Sequence, residues 1–225
     1  MFAVCDGPRR PDFSRRTMLL QEDIYVLLTR RKVLAAGTAA GASLVVRPAF
    51  AAAPVISAGL LTRAKAALDR HHDKIPNRDL IAVADFAQPS RLPRLHLVDV
   101  ASGRIGSHLV AHGRGSDPKH SGWLERFSND FGSNATSSGA FRTGDFYVGA
   151  HGRSMRLDGL EASNSNALQR GIVVHEAWYV SQQMAARGAL GRSEGCFALD
   201  AGSLEEVFAR LGPGHLIYAD KIDAA

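Results

Sequence analysis

Apolar side chains recur along residues 57–74 at Leu60, Leu61, Ala64, Ala67 and Leu68. That spacing lines one face of an amphipathic helix, which Pro76 stops. Beyond the proline the period shortens to that of strands. Leu80-Ile81-Ala82-Val83-Ala84 is a run with a buried character, and residues 94–100 and 104–111 flank an Ala101-Ser102-Gly103 turn, which predicts a hairpin. Residues 112–140 are rich in Gly, Ser, Asn and Asp and carry little regular pattern, as expected of a functional loop. Strand-like patterns resume at 141–148 and 155–158 around Ala150-His151-Gly152. The strongest is Gly171-Ile172-Val173-Val174-His175. Ser181 is placed to cap a short helix ending at Gly188. Ser203-Leu204-Glu205-Glu206 reads as a capping box for another helix, closed by Gly212-Pro213, and residues 215–219 form a last strand. The pattern contains no internal repeat. It predicts a mainly β domain with small helices, built as a β-sandwich or a barrel-like sheet pair.

The composition, 45% hydrophobic and 22% charged, is that of a soluble globular protein. Past residue 60 no apolar run approaches the roughly 18 residues of a membrane helix, so no membrane span is expected in the mature form. The formal charge of +5 changes the picture only until it is located. Residues 1–53 hold eight of the 27 Lys and Arg and four of the 22 Asp and Glu, which leaves 19 basic against 18 acidic residues, or +1. A nearly neutral domain lacks the electrostatic footprint of a nucleic-acid partner.

The basic segment reads as an export leader. Thr29-Arg30-Arg31-Lys32-Val33-Leu34 is a twin-arginine pattern followed by a small-residue apolar run over 34–46. Pro48-Ala49-Phe50-Ala51-Ala52-Ala53 then offers cleavage after Ala51 or Ala53. An earlier pair, Arg15-Arg16, is followed by Gln21-Glu22-Asp23, which breaks any apolar run, and Met18 is an alternative start. The expected organisation is a leader with a signal peptide over 1–53, a helix and linker over 54–78, and the main domain over 79–225. The expected location is the periplasm or cell envelope. Cys5 falls in the leader, so Cys196 stands alone in the mature chain and cannot form an internal disulfide.

An unpaired thiol in an oxidising compartment is a liability unless it is buried or has work to do. Its surroundings point to work. His175 ends a β-branched strand, and Arg192-Ser193-Glu194-Gly195-Cys196 follows. A cysteine nucleophile needs a base to take its proton, and an imidazole fixed at a strand end can serve. Gly195 lets the backbone approach a substrate carbonyl, and the amides of Gly195 and Cys196 are expected to face a developing oxyanion.

His175 and Ser193 are separated by 17 residues. With Gly195 and Cys196 this spacing resembles the His-x(14–17)-[Ser/Thr]-x-Gly-Cys signature of the murein L,D-transpeptidase catalytic domain. The resemblance extends over residues 80–220. Thr136-Ser137-Ser138-Gly139-Ala140-Phe141 is similar to the family's groove-lining Thr-Pro-x-Gly-x-Phe segment. Glu194 stands where the family usually has His, Phe197 where Arg commonly follows the Cys, and the Asn usual three residues further on is missing. The resemblance implies an L,D-transpeptidase-like catalytic domain over 79–225, with Cys196 as nucleophile and His175 as base. It implies Ser138, Gly139, Phe141 and Ser193 as substrate-binding residues and peptidoglycan stem peptides as partners. It implies no metal and no cofactor. The cysteine takes the acyl group from a tetrapeptide stem, D-alanine leaves, and a neighbouring stem amine completes a 3–3 cross-link. Water as acceptor makes the same site an L,D-carboxypeptidase. Other readings are a cysteine amidase or endopeptidase, and, from a different class, a non-catalytic peptidoglycan-binding protein.

Other residues carry blander expectations. His112, His120, His151 and His175 lack the close spacing of a zinc site. His71-His72 is expected to be a solvated pair, and Trp123 and Trp178 to pack in the core or a groove wall. Arg114, Arg126, Arg142, Arg153 and Arg156 are mostly solvated, with one or two available to a stem carboxylate. The sequence says nothing of oligomeric state.

Overall fold

A computed structural model describes residues 56–222. The leader expected over 1–53 lies outside the described residues. In chain order the elements are α1 (Ala58–Arg70), β1 (Leu80–Asp85), β2 (Leu95–Asp99), β3 (Ile105–His108), β4 (Gly139–Gly149), β5 (Gly152–Gly159), β6 (Val173–Glu176), α2 (Gln182–Ala186), β7 (Phe197–Leu199), α3 (Ala201–Arg210) and β8 (Leu216–Asp220). The strands form one eight-stranded sheet in the order β3-β2-β1-β8-β4-β5-β6-β7. β1 pairs with β8, and β6 with β7, in parallel; the other neighbours are antiparallel.

The expected mainly β class with small helices holds, as one continuous sheet rather than two. Its two ends approach each other: Ala111, just past β3, bridges Ala198 of β7 with an N–H···O bond of 2.9 Å. Phe141 of β4 and Phe197 of β7 lie three strands apart in the order, yet their rings meet edge-on at 5.5 Å. The sheet therefore curls around one core, which gives the barrel-like character.

Both faces of the central strands are covered. In β1, Leu80, Ala82 and Ala84 join the inner core with Leu97, Phe141, Leu157, Ile217 and the α3 residues Leu204, Val207 and Phe208. Ile81 and Val83 face the other way and meet Leu60, Ala64, Ala67 and Leu68 of α1. A strand buried on both faces reads as a continuous apolar run, as Leu80-Ile81-Ala82-Val83-Ala84 does. The helix read as a segment apart is thus part of the domain's packing. Truncating its fully buried Leu60 to Ala would cost about 2–5 kcal/mol.

Several expectations need correction. α3 begins earlier than the capping box implied. Asp200 is its N-cap, its carboxylate accepting from the Ser203 amide, so Ser203 sits in the first turn. Ser181 does cap α2, accepting from the Met184 amide. β7, directly after the cysteine, was not foreseen. Trp123 and Trp178 are exposed, Trp178 at 85% in the loop beyond β6, where its ring meets Tyr179 edge-on. His71 is largely buried at the end of α1, its Nε2 3.5 Å from Glu161, whereas His72 is exposed as expected.

Candidate active site

The register of β6 and β7 places the two candidate catalytic residues. Val174 pairs with Phe197, and both point into the inner core. Alternation then turns Val173 and His175 to the opposite face. Cys196, one residue before Phe197, lies level with Val173 on that face. One strand across and two residues along, at about 4.8 Å and 6.6 Å, put the two Cα atoms about 8 Å apart on a diagonal, within side-chain reach. Both residues line one cavity of about 610 Å³, together with Tyr147, Ala150, His151, Arg170, Gly171, Val173, Tyr179, Arg192, Ser193 and Glu194.

The turn carrying Cys196 is tightly built. The Ser193 hydroxyl donates to the Cys196 carbonyl at 2.7 Å and accepts from the Gly195 amide at 3.2 Å. Ser193 also pairs with the loop after β3: its amide donates to His112 O at 2.9 Å, and its carbonyl accepts from the Arg114 amide at 2.7 Å. Gly113 passes behind the turn so closely that a Cβ there would lie 2.8 Å from Gly195 N and 2.3 Å from Asn134 O. Gly195 itself has φ +120°, a conformation that suits glycine. The Gly195 amide, expected at an oxyanion, is engaged with Ser193 in this resting turn.

Behind the turn lies a buried polar brace. Arg94, fully buried, donates from Nη2 to His112 Nδ1 at 2.7 Å and to Val110 O at 2.9 Å, and stacks over Phe86 at 4.8 Å. His112 Nε2 then faces Asp117 Oδ2 at 3.4 Å. Burial, helped by the adjacent Arg94 charge, pushes the His112 imidazole down to about 3, so the ring is neutral and links guanidinium to carboxylate as a hydrogen-bond relay. Burial likewise brings Arg94 down to about 9. Against the cost of its own burial, the amides of Ser121 and Gly122 and the Ser121 hydroxyl hold Asp117 below the usual carboxylate range.

Arg170 knots the other wall. Nη1 donates to Ser128 O and Ser137 Oγ at 2.8 and 2.7 Å, and Nη2 donates to Ser133 Oγ and Ala135 O at 3.1 and 2.6 Å. One guanidinium thus fixes much of the Gly/Ser/Asn-rich loop and keeps a cation beside the thiol. A lysine ammonium cannot offer this fork.

In the resting state the half-buried Cys196 donates from Sγ to Gly171 O at 3.6 Å. Burial raises its pKa, a hydrogen bond from the Val173 amide opposes the rise, Glu194 adds to it and Arg170 offsets it. His175 is buried, and burial lowers its pKa; the bond to Glu176 O counters this, and His151 reinforces it. His175 Nδ1 lies 2.7 Å from Glu176 O. A carbonyl only accepts, so Nδ1 carries the proton and Nε2 is the basic nitrogen. The pair therefore rests as neutral thiol and neutral imidazole rather than as a standing ion pair.

A family model for the L,D-transpeptidase catalytic domain matches residues 52–219. The chain belongs to the L,D-transpeptidase catalytic-domain family. Enzymes of this family act on peptidoglycan in the cell envelope. No curated protein sequence matches the chain. Among solved structures it is similar to the L,D-transpeptidase LdtMt1 in complex with imipenem, at 16% identity over 63% of this chain and 59% of that one, with a TM-score of 0.40. It is also similar to the helical cell shape determining protein Pgp2 from Campylobacter jejuni, at 12% identity over 72% and 56% with a TM-score of 0.42. An L,D-transpeptidase from Xylanimonas cellulosilytica matches at 16% identity over 69% and 68%, with a TM-score of 0.39. The chain spans less than two thirds of the LdtMt1 and Pgp2 chains. Among the described residues no helix is long and apolar enough to cross a membrane.

Within this L,D-transpeptidase domain the cavity gathers Cys196, His175 and Ser193 but not the other three groove residues expected from the resemblance. Phe141 is fully buried and supports Phe197 from below. Gly139 pairs with Ala219 of β8 and packs against Glu161, and Ser138 accepts from Ser163. The segment that resembled a groove wall is the start of a core strand. None of the five arginines singled out as carboxylate candidates lines the cavity; Arg170 and Arg192 do. Arg114 pairs with Glu194 at 2.8 Å on the rim, Arg156 lies over the Tyr147 ring, and Arg153 lies over Phe146 and Phe208. Of the four histidines weighed for zinc, His112 is in the brace, His120 faces Leu190 O, and only His151 and His175 share the cavity. Sequence reasoning missed Arg170, Tyr179 and Tyr147. Arg170 and Tyr179 reach the site on loops and Tyr147 from β4.

Proposed function

We propose that this domain is a cysteine-nucleophile acyltransferase acting on peptidoglycan stem peptides. The observation that carries the reading is Cys196 and His175 on one face of adjacent parallel strands, opening into one cavity. Family membership supplies the substrate class. Cys196 Sγ attacks the carbonyl of the third stem residue. Its proton passes to His175 Nε2 and then to the departing D-alanine amine as the C–N bond breaks and a thioester remains. A stem side-chain amine then attacks the thioester, giving up its proton through His175 as the C–S bond breaks and Cys196 is restored as a thiol. The product is a 3–3 cross-link. With the Gly195 amide held by Ser193, the Cys196 amide is assigned to the oxyanion. Arg170 and Arg192 offer positive charge for stem carboxylates. The twin-arginine leader read over 1–53 would deliver the domain over 79–225 to the periplasm.

With water as acceptor the same thioester gives a tripeptide, the L,D-carboxypeptidase reading. Two departures beside the thiol bear on the acceptor: Glu194 stands on the rim where the family usually has His, and Phe197, where Arg commonly follows the Cys, is buried in the core. Muropeptide analysis of cells expressing the protein tests the proposal. New 3–3 dimers that vanish with Cys196→Ala support transpeptidation, and tripeptides without dimers support hydrolysis. Neither product appearing would leave a peptidoglycan-binding protein.

A further inference from the structure

Two imidazoles share the cavity. His151, at the exposed tip of the β4–β5 hairpin, lies against the buried His175 with ring centroids 4.3 Å apart and planes 23° from parallel. Among the described residues His175 has no carboxylate partner to orient it; its Nδ1 is bound to the Glu176 carbonyl. One hydrogen bond leaves a ring free to rock about that axis, and the opposing ring face removes that freedom. We propose that His151 is a positioning residue for the catalytic base: it fixes the plane of the His175 ring and, by disfavouring a second positive charge against its own ring, keeps Nε2 free to take the Cys196 proton.

The inference rests on the reading of His175 as base. The surroundings favour it. The charged and titratable groups facing the pair are Tyr147 from β4, with Arg156 over its ring; Arg170 from the loop before β6; Tyr179 beyond β6; and Arg192, Glu194 and Cys196 from the nucleophile turn. Two are guanidinium groups. The one carboxylate among them, Glu194, is paired with Arg114. Level with His175, β5 contributes Ser154 and β7 Ala198, neither charged at neutral pH. Among the described residues lining the cavity no free carboxylate faces His175; the Glu176 carbonyl favours its imidazolium, and burial and the stacked His151 ring oppose it. The lowered pKa of His175 has burial as its largest cause and His151 as a contributor. A thiol base that stays neutral in mildly acidic surroundings extends activity toward low pH.

The test uses the full chain carrying His151→Phe, which keeps a stacking ring without its charge, and His151→Gln, which removes the ring. The exposed turn tolerates both. NMR titration of the His175 ring is measured beside the pH profile of Cys196 acylation by a carbapenem. In both variants the His175 titration and the acid limb of acylation should move up by about half to one pH unit, since a like charge has been removed. Phe should retain the rate above the limb, whereas Gln should lose about 10-fold across the range because the base is no longer held in place. A His175 titration unmoved in both variants would overturn the inference. His175→Ala separates the two readings: if it acylates at the wild-type rate, His175 is not the base, whatever the stack does.

Discussion

Gly195→Ala reaches the chemistry through the backbone. Gly195 holds φ +120°, and a Cβ there would sit 2.6 Å from Ile172 Cδ1 and 2.8 Å from Ala135 O. The isoleucine methyl can yield, but the carbonyl is backbone and is held by Arg170 Nη2 at 2.6 Å. The turn carrying Cys196 must therefore move. Strain at such a φ costs about 1–3 kcal/mol, and with the backbone contact the loss comes to about 2–5 kcal/mol. For a domain of this size each kcal/mol lowers Tm by about 2–4 °C, so the melt should fall by roughly 4–20 °C. A reacting atom misplaced by about 1 Å costs on the order of 100-fold in rate. Circular dichroism melts and the rate of carbapenem acylation measure the two effects. Gly103→Ala is the control. Its φ is +71° with no atom within 4 Å of the added Cβ, so it should cost about 1–2 kcal/mol and leave acylation unchanged. If Gly195→Ala melts with Gly103→Ala and acylates at the wild-type rate, the turn is not crowded as described and the argument fails.

Other consequences are as concrete. Arg170→Ala removes four hydrogen bonds to the 128–137 segment and should cost about 2–4 kcal/mol, with faster amide exchange in that segment. Arg170→Lys should not restore it; full rescue by lysine would mean that charge alone matters. Burial holds His112 at about 3 and His96 at about 4, both below the ordinary imidazole value of 6.5. The unfolded chain thus binds more protons below pH 6.5, so stability is complete above that value and falls as pH drops toward 4 and 3. Between pH 6.5 and 4.5 the loss should be on the order of 3–5 kcal/mol, read as a lower Tm; an unchanged melt would contradict the buried neutral rings. Because burial raises the Cys196 pKa, alkylation of the resting thiol by iodoacetamide should be slow at pH 7 and rise with pH through and beyond the ordinary thiol range. A fast, pH-independent rate would instead reveal a standing thiolate.

The sequence and the structure agree where periodicity and chemistry are local. The apolar run from Leu80 to Ala84 and the β-branched run into His175 became strands because continuous apolar runs suit sheet positions buried on both faces. The spacing of His175 and Cys196 singled them out as candidates, and the parallel register of β6 and β7 brings them to one face. Non-local features left no such trace. β7 is three residues long and follows Cys196 without alternation, so nothing marked it as a strand. Phe141 looked like a groove residue because of its motif, but curling of the sheet carries it against Phe197. Asp200 outcompeted Ser203 as a cap because its carboxylate reaches the Ser203 amide one turn earlier. Arg170 was one unremarked arginine in the sequence. Its role depends on a loop folding back over some forty residues to meet it.

The most direct test is to incubate the protein with a carbapenem and map the adduct by intact-mass and peptide mass spectrometry. The wild type should gain one adduct, located on Cys196, with acylation slowed on the order of 100-fold or more by His175→Ala and abolished by Cys196→Ala. An unmodified wild-type protein, an adduct on another residue, or an undiminished rate in His175→Ala would contradict the pairing of thiol and imidazole across β6 and β7.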